Sequence, residues 1–388
     1  MPALLRRPGV LPLLALNILA RVPLAGCGVL LVVHGHAITG SYAAAGAVAA
    51  ANGLTTALAA PVLGRLVDRR GQTLVLVASG LACGGALLAV ALLPRGAPVL
   101  ALVALAAVAG AVQPPLGACL RTLWPDVMGG DPRLVASAFS LEAATLELTY
   151  IAGPLGFLTL AALTSTRVSV GALGGLLAVG TLAFAAQPPS RAWRPVEHGS
   201  ARRRSALGAP AIQTIAVVMA LVGVLVGGVE VAIAAASNGA HHPGATGPLL
   251  AVWGIGSLLG GVAAARRGGP EGARGLVLVL LALAVTHAVL ALSASTAILG
   301  ALLVLAGFGI APLFGQTSAL TGRLALPGTS TEAFAWTTTA VSAGAAIGAA
   351  LAGAIADSST PAAFAVAASA GLIAAAFVAA RASSLQPA

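Results

Sequence analysis

Twelve times along this chain an apolar run lasts about 20 residues, the length at which a helix rising 1.5 Å per residue crosses a hydrocarbon layer approximately 30 Å thick. The runs fall at Val10 to Val33, Tyr42 to Leu63, Thr73 to Leu93, Pro98 to Leu120, Ala136 to Leu160, Val168 to Ala186, Ile212 to Ala236, Pro248 to Ala265, Gly275 to Leu292, Ala297 to Leu320, Glu332 to Ala356 and Ala362 to Ala380. In lipid a single segment satisfies its backbone polar groups only as a helix, so the pattern sets the secondary structure together with the solvent. The chain has 388 residues, 59% of them hydrophobic and 8% charged. A soluble core stops growing at roughly 250 to 300 residues and could not hide that much apolar surface. The expected class is an all-α membrane protein.

Charge reports topology here. The net charge of +10 comes from twenty basic residues, all of them Arg. In a soluble protein it would suggest nucleic acid, but these arginines sit in short connections, so no nucleic-acid partner is expected. With the N-terminus in the cytoplasm, seventeen fall on inner connections, among them Arg6, Arg7, Arg69, Arg70 and Arg202 to Arg204, while the outer ones hold only Arg95 and Arg167. By the positive-inside rule both termini are expected to be cytoplasmic, and the expected location is a bacterial inner membrane. Cys27, Cys83 and Cys119 lie inside apolar runs without metal-ligand spacing and read as small packing residues.

The chain also repeats itself. A shift of 197 residues lays Gly64 on Gly261, Arg69-Arg70-Gly71 on Arg266-Arg267-Gly268, Gly110 on Gly307 and Pro115-Leu116 on Pro312-Leu313. Three separate places agreeing on one offset indicate a duplication. The expected division is a six-helix bundle over 1–186, a cytoplasmic linker over 187–208 rich in Pro and Arg, and a second bundle over 209–388.

Between the second and third runs lies Gly64-Arg65-Leu66-Val67-Asp68-Arg69-Arg70-Gly71-Gln72-Thr73, followed by Leu74. This charged turn resembles the loop signature of the major facilitator superfamily of secondary transporters. The resemblance implies twelve helices in two pseudo-symmetric bundles, alternating access to a central site, a small-molecule substrate, protons as the coupling ion, a monomer in the bilayer and no cofactor. It also implies that helix 2 abuts helix 11, which makes Gly64, Asp68, Arg69, Gly71 and Glu332 gating candidates. Thr329-Ser330-Thr331-Glu332 is a capping-box pattern for the start of helix 11. A helix N-terminus carries partial positive charge, so Asp68 is expected to latch onto it. The second copy has Ala265 at the corresponding place.

Ionisable residues inside spans are costly in hydrocarbon and usually face a bundle interior or a water-filled cavity. Arg21 in helix 1 and Glu147 in helix 5 have equal expected depth, and Glu142 projects from a different face than Glu147. Only one of the two carboxylates is expected to meet Arg21. With Glu147 as the partner, the pair is either a proton-coupling site or a static ion pair between helices. Glu230, near the outer end of helix 7, is a third proton-site candidate or a solvated rim carboxylate.

Helices 1, 4, 7 and 10 line the cavity in the superfamily resembled, so the substrate-binding candidates are Asn17, Arg21, Gln113, Gln316 and Thr317. Pro114-Pro115 and Pro312 are expected to kink helices 4 and 10 beside them. Trp124, Trp193, Trp253 and Trp336 are expected mostly at membrane edges. Gly153-Pro154-Leu155-Gly156 resembles the core of the motif that marks exporting antiporters, and Val99 to Gly110 lacks the family's membrane-embedded Arg. Arg121 is expected near the cytoplasmic surface, paired with Asp126. No nucleophile, metal set or nucleotide loop is apparent, so an enzyme is not expected. The expectation is proton-coupled efflux of a small amphipathic or weakly polar molecule; uptake by proton symport and a non-transporting receptor or scaffold on the same fold are the alternatives.

Overall fold

The computed structural model describes residues 7, 9–195, 205–239, 245–267, 272–293, 295–356 and 359–386. Its first-half helices are α1 (Val10–Thr39), α2 (Tyr42–Arg70), α3 (Gln72–Leu92), α4 (Val99–Ala111), α5 (Leu116–Val127), α6 (Pro132–Leu163) and α7 (Thr166–Ala185). A short helix α8 (Pro188–Ala192) follows, then α9 (Pro210–Gly239), α10 (Thr246–Arg267), α11 (Gly272–Leu290), α12 (Thr296–Gly307), α13 (Ile310–Leu324), α14 (Ser330–Ala356) and α15 (Thr360–Ala380). Helices α4 and α5 together make one membrane-length segment, as do α12 and α13, so the described residues hold 12 candidate spans.

The expected kinks are breaks. Pro114 and Pro115 have no N–H to offer the preceding turn, so α4 stops at Ala111 and α5 begins at Leu116. The Gly110 carbonyl left behind takes the Gln113 N–H at 3.2 Å and lies 3.3 Å from the Thr56 hydroxyl. In the tenth span the break falls ahead of Pro312, at Phe308 and Gly309. Pro312 then sits in the first turn of α13, where an N–H has no intrahelical partner in any case.

Buried side chains gather into two cores. One runs from Val10 to Ala185 and the other from Ala206 to Leu385, while Ala265 and Phe334 of the second half join the first. Helix contacts inside each half are made by small residues, as expected where lipid leaves packing to bring helices together. Across α9 and α14 a Cβ on Gly344 would overlap the Ala220 carbonyl, and one on Gly223 the Val341 carbonyl. Gly153 stands against Val22 and Gly26 of α1 in the same way, which gives the Gly153-Pro154 segment a packing role. The outer face is lipid-compatible: Leu54, Leu58 and Val62 of α2, one turn apart, are 62%, 67% and 66% exposed. The three cysteines are buried free thiols.

The bundles meet along α2 with α14, and along α6 with α10 and α13. Gly64 and Gly261, matched by the internal repeat, occupy these two seams. A Cβ on Gly64 would stand 2.8 Å from the Thr331 carbonyl oxygen, and one on Gly261 would stand 2.7 Å from the Ala144 Cβ. The helix starts at the two seams are capped differently. Helix α6 is capped within its own loop, Asp131 accepting from the N–H groups of Arg133 and Leu134. The 197-residue shift carries Asp131 onto Gly328. The start of α14 is capped from the other bundle.

Candidate functional site

Asp68 supplies that cap. It is 5% exposed in the last turn of α2, and its two carboxylate oxygens accept the backbone N–H groups of Thr331 at 3.0 Å and Glu332 at 2.9 Å. A carboxylate at a helix N-terminus meets both unpaired N–H groups and the positive end of the helix dipole. The approach is possible because Gly64, one turn earlier on α2, has no side chain to strike Thr331 and Glu332. Gly71 then closes α2 and opens α3 within one residue at φ 93°, a conformation that favours glycine. Gln72, fully buried, ties the turn down: its amide donates to the Cys119 carbonyl at 3.1 Å and the Thr122 hydroxyl at 2.8 Å. Arg69 and Arg70 are exposed beside it.

The capping box is a correction. Thr329 does not cap α14 with its side chain, because its hydroxyl donates to the Leu326 carbonyl at 2.9 Å. Glu332 does not reach back along its own helix either. It takes a bidentate pair from Arg65, Nε at 3.0 Å and Nη2 at 2.7 Å, and accepts from the Ser205 hydroxyl at 2.8 Å and Trp336 Nε1 at 3.4 Å. The two bonds from a guanidinium outcompete the single one a backbone N–H could give Glu332, and the Asp68 carboxylate outcompetes the neutral Thr329 hydroxyl as acceptor. Arg65 and Ser205 were not singled out from sequence; an Arg one turn before a gating carboxylate was the available signal for the first.

Among the described side chains, Arg21 meets Glu142 at 3.3 Å. Arg121 is not at the surface with Asp126, which is exposed; its Nε lies 3.1 Å from the same Glu142 carboxylate and its guanidinium 5.9 Å from the Phe334 ring. The reason is the break at Pro114: the restarted α5 runs on to Val127 and carries Arg121 inward. Trp124 is likewise no edge anchor. It is 1% exposed, and its Nε1 donates to Glu142 at 3.1 Å. The Glu147 side chain lies outside the described residues.

The other candidates divide by what their polar atoms do. Asn17 is buried, donating to the Leu116 carbonyl at 3.0 Å, and Thr317 is buried, donating to the Leu313 carbonyl at 2.9 Å. Asn17 thereby ties α1 to α5, whereas Thr317 bonds back along its own helix α13. Gln113 is half-buried with its Oε1 3.3 Å from the Thr56 hydroxyl, and the buried Gln316 Oε1 has no hydrogen-bond partner among the described residues. Glu230 is exposed in the last third of α9. No group of three or more metal-ligating side chains occurs among the described residues.

Between the bundles, contacts continue inward from the α2–α3 turn. Phe139 and Phe334 rings lie 6.0 Å apart, a Cβ on Gly315 would stand 2.7 Å from the Ser140 hydroxyl, and Thr339 donates to the Ala57 carbonyl at 2.9 Å. The seam on this side is closed.

A sequence model of the Major Facilitator Superfamily matches residues 13–269. Among solved structures, the human organic anion transporter MFSD10 superposes with a TM-score of 0.72 at 17% identity, covering 95% of this chain and 97% of that one. A bacterial homologue of the iron transporter ferroportin in an outward-facing state gives 0.75 at 15% identity, covering 95% and 98%. The Escherichia coli fucose:proton symporter gives 0.72 at 13% identity, covering 95% and 97%. No curated protein sequence matches significantly. At these identities the structures share the fold.

Proposed function

The chain belongs to the major facilitator superfamily and is a membrane transporter, not an enzyme; on that premise we propose that it works by alternating access as a proton-coupled exporter of a small molecule across a bacterial inner membrane. Bundles 1–186 and 209–388 are the moving bodies, joined by the linker 187–208, with both termini cytoplasmic and one copy of the chain as the working unit. The observation that carries the reading is the Asp68 cap on α14. It joins two bundles through hydrogen bonds at 2.9 and 3.0 Å and breaks whenever they part. Gly64, Asp68, Arg69, Gly71 and Glu332 then act at the cytoplasmic gate, with Arg65 as their partner. Arg21, Gln113 and Gln316 meet the cargo, while Asn17 holds α1 to α5 and Thr317 stands next to Gln316 on α13.

Export in exchange for protons is supported by the likeness of Gly153-Pro154-Leu155-Gly156 to the antiporter motif. Glu147 and Glu230 are the proton sites we favour, since Glu142 is occupied by two arginines and an indole. The test is purified protein in proteoliposomes with a pH dye inside and an imposed proton gradient, challenged with a panel of small amphipathic compounds. Antiport predicts that a cargo moves against the proton current, and that Glu147→Gln abolishes coupling without lowering expression. Co-directional movement means uptake symport. No coupled flux with any compound would refute the proposal.

A further inference from the structure

Two guanidinium groups share one carboxylate in the interior of the first bundle. Glu142 Oε1 lies 3.3 Å from Arg21 Nη1 and 3.1 Å from Arg121 Nε, and its Oε2 accepts from Trp124 Nε1 at 3.1 Å. Both oxygens are engaged, two of the three donors being cationic, so the carboxylate has little acceptor capacity left for a cation. Counting the described side chains, the cluster carries two positive charges against one negative. An uncompensated charge away from water is costly, and it favours any anion that can reach it.

Exposure decides which partner a cargo would meet. The Glu142 side chain is 2% exposed and that of Arg21 is 18%. The guanidinium fork of Arg21 has five N–H donors, and one of them is directed at Glu142. Gly117 makes room for it, since a Cβ there would stand 3.2 Å from the guanidinium carbon and both terminal nitrogens. On the side of the α2–α3 turn the cluster is covered by the seam between bundles, with Phe334 over Arg121 and against Phe139, and Ser140 against Gly315. Arg21 is therefore approached from the opposite side.

We propose that Arg21, backed by Arg121, is an anion subsite on the side of the cluster away from the α2–α3 turn, and that the cargo is an organic molecule bearing one carboxylate. The inference rests on the transport reading above and names its substrate class. A planar carboxylate matches the free edge of the fork in a way that a neutral amide cannot.

The experiment is calorimetry on the purified full-length protein with sodium benzoate, its neutral counterpart benzamide, and sodium chloride. Benzoate is expected to bind saturably and at least about tenfold more tightly than benzamide, and Arg21→Gln to remove that preference. Arg21→Lys keeps the charge without the fork and should fall between. Equal binding of benzoate and benzamide, benzoate binding unaffected by Arg21→Gln, or displacement of benzoate by an equal concentration of chloride would overturn the proposal. Should Arg21→Gln not fold, the benzoate to benzamide contrast in the unaltered protein and in Arg21→Lys decides the matter. Binding is read without a gradient, so its failure is separable from failure of transport. Benzoate bound without coupled flux keeps the subsite and sinks the exporter; flux of neutral compounds without carboxylate preference does the reverse.

Discussion

Replacing Asp68 by Asn should open the cytoplasmic seam, and the size of the effect follows from its two contacts. Both carboxylate oxygens accept backbone N–H groups of α14, at 3.0 and 2.9 Å. The amide keeps one acceptor and turns an NH₂ toward the other N–H. A hydrogen bond to a charged group contributes about 1.5 to 3 kcal/mol, and the lost charge at the helix terminus adds roughly 0.3 to 1 kcal/mol. With part of this recovered by the remaining oxygen, the closed state should weaken by roughly 2 to 3 kcal/mol, a shift of about 30- to 140-fold at 1.4 kcal/mol per tenfold. Ser140→Cys makes the reporter, because Ser140 is 8% exposed and lies against Gly315 in the seam. Its alkylation by a membrane-impermeant maleimide from the cytoplasmic side should accelerate by that factor while the open form remains a minor population. Cys27, Cys83 and Cys119 are buried, and the parent protein provides their background. A change of less than about threefold, under 1 kcal/mol on the same scale, would refute the latch.

Further outcomes follow from the same contacts. Gly64→Ala should force α2 from α14 and raise the same labelling rate with Asp68 intact, because its Cβ meets the Thr331 carbonyl at 2.8 Å and Glu332 Cα at 2.9 Å; overpacking of this kind costs about 1 to 3 kcal/mol. Arg65→Gln should matter less, under about 1 kcal/mol and fading with salt, since Arg65 is 42% exposed; labelling at two ionic strengths checks it. Glu142→Gln should lower stability by about 3 kcal/mol or more by stranding Arg21 and Arg121, read as a lower thermal midpoint with an altered Trp124 emission.

Hydropathy made the spans legible, since twelve apolar runs leave a lipid-soluble chain few alternatives. The turn at Asp68 was legible as chemistry, because a carboxylate and a helix start are complementary wherever they meet. Rotation about a helix axis was not. Depth alone put Arg21 opposite Glu147, whereas the partner seen among the described side chains is Glu142, and depth says nothing about the direction in which a helix faces. Arg121 was misplaced for a related reason. Ending the fourth helix at Leu120 put it outside, whereas the proline break lets the chain restart and run to Val127. The capping-box pattern marked the start of α14 but not its bonds, because four residues are blind to a donor or acceptor more than 260 positions away.

The unequal caps of the two seams bear on how such a molecule moves. When the bundles part, α6 keeps Asp131 and loses nothing at its first turn, while α14 surrenders its two bonds to Asp68 and exposes bare amides to water. Parting is thus dear along one edge and cheap along the other. In the alternating access proposed above, that gives the mechanics of a door, with a bolt at α2 and α14 and a pivot at the close approach of Gly261 to Ala144, rather than of a clamshell springing open evenly on both sides.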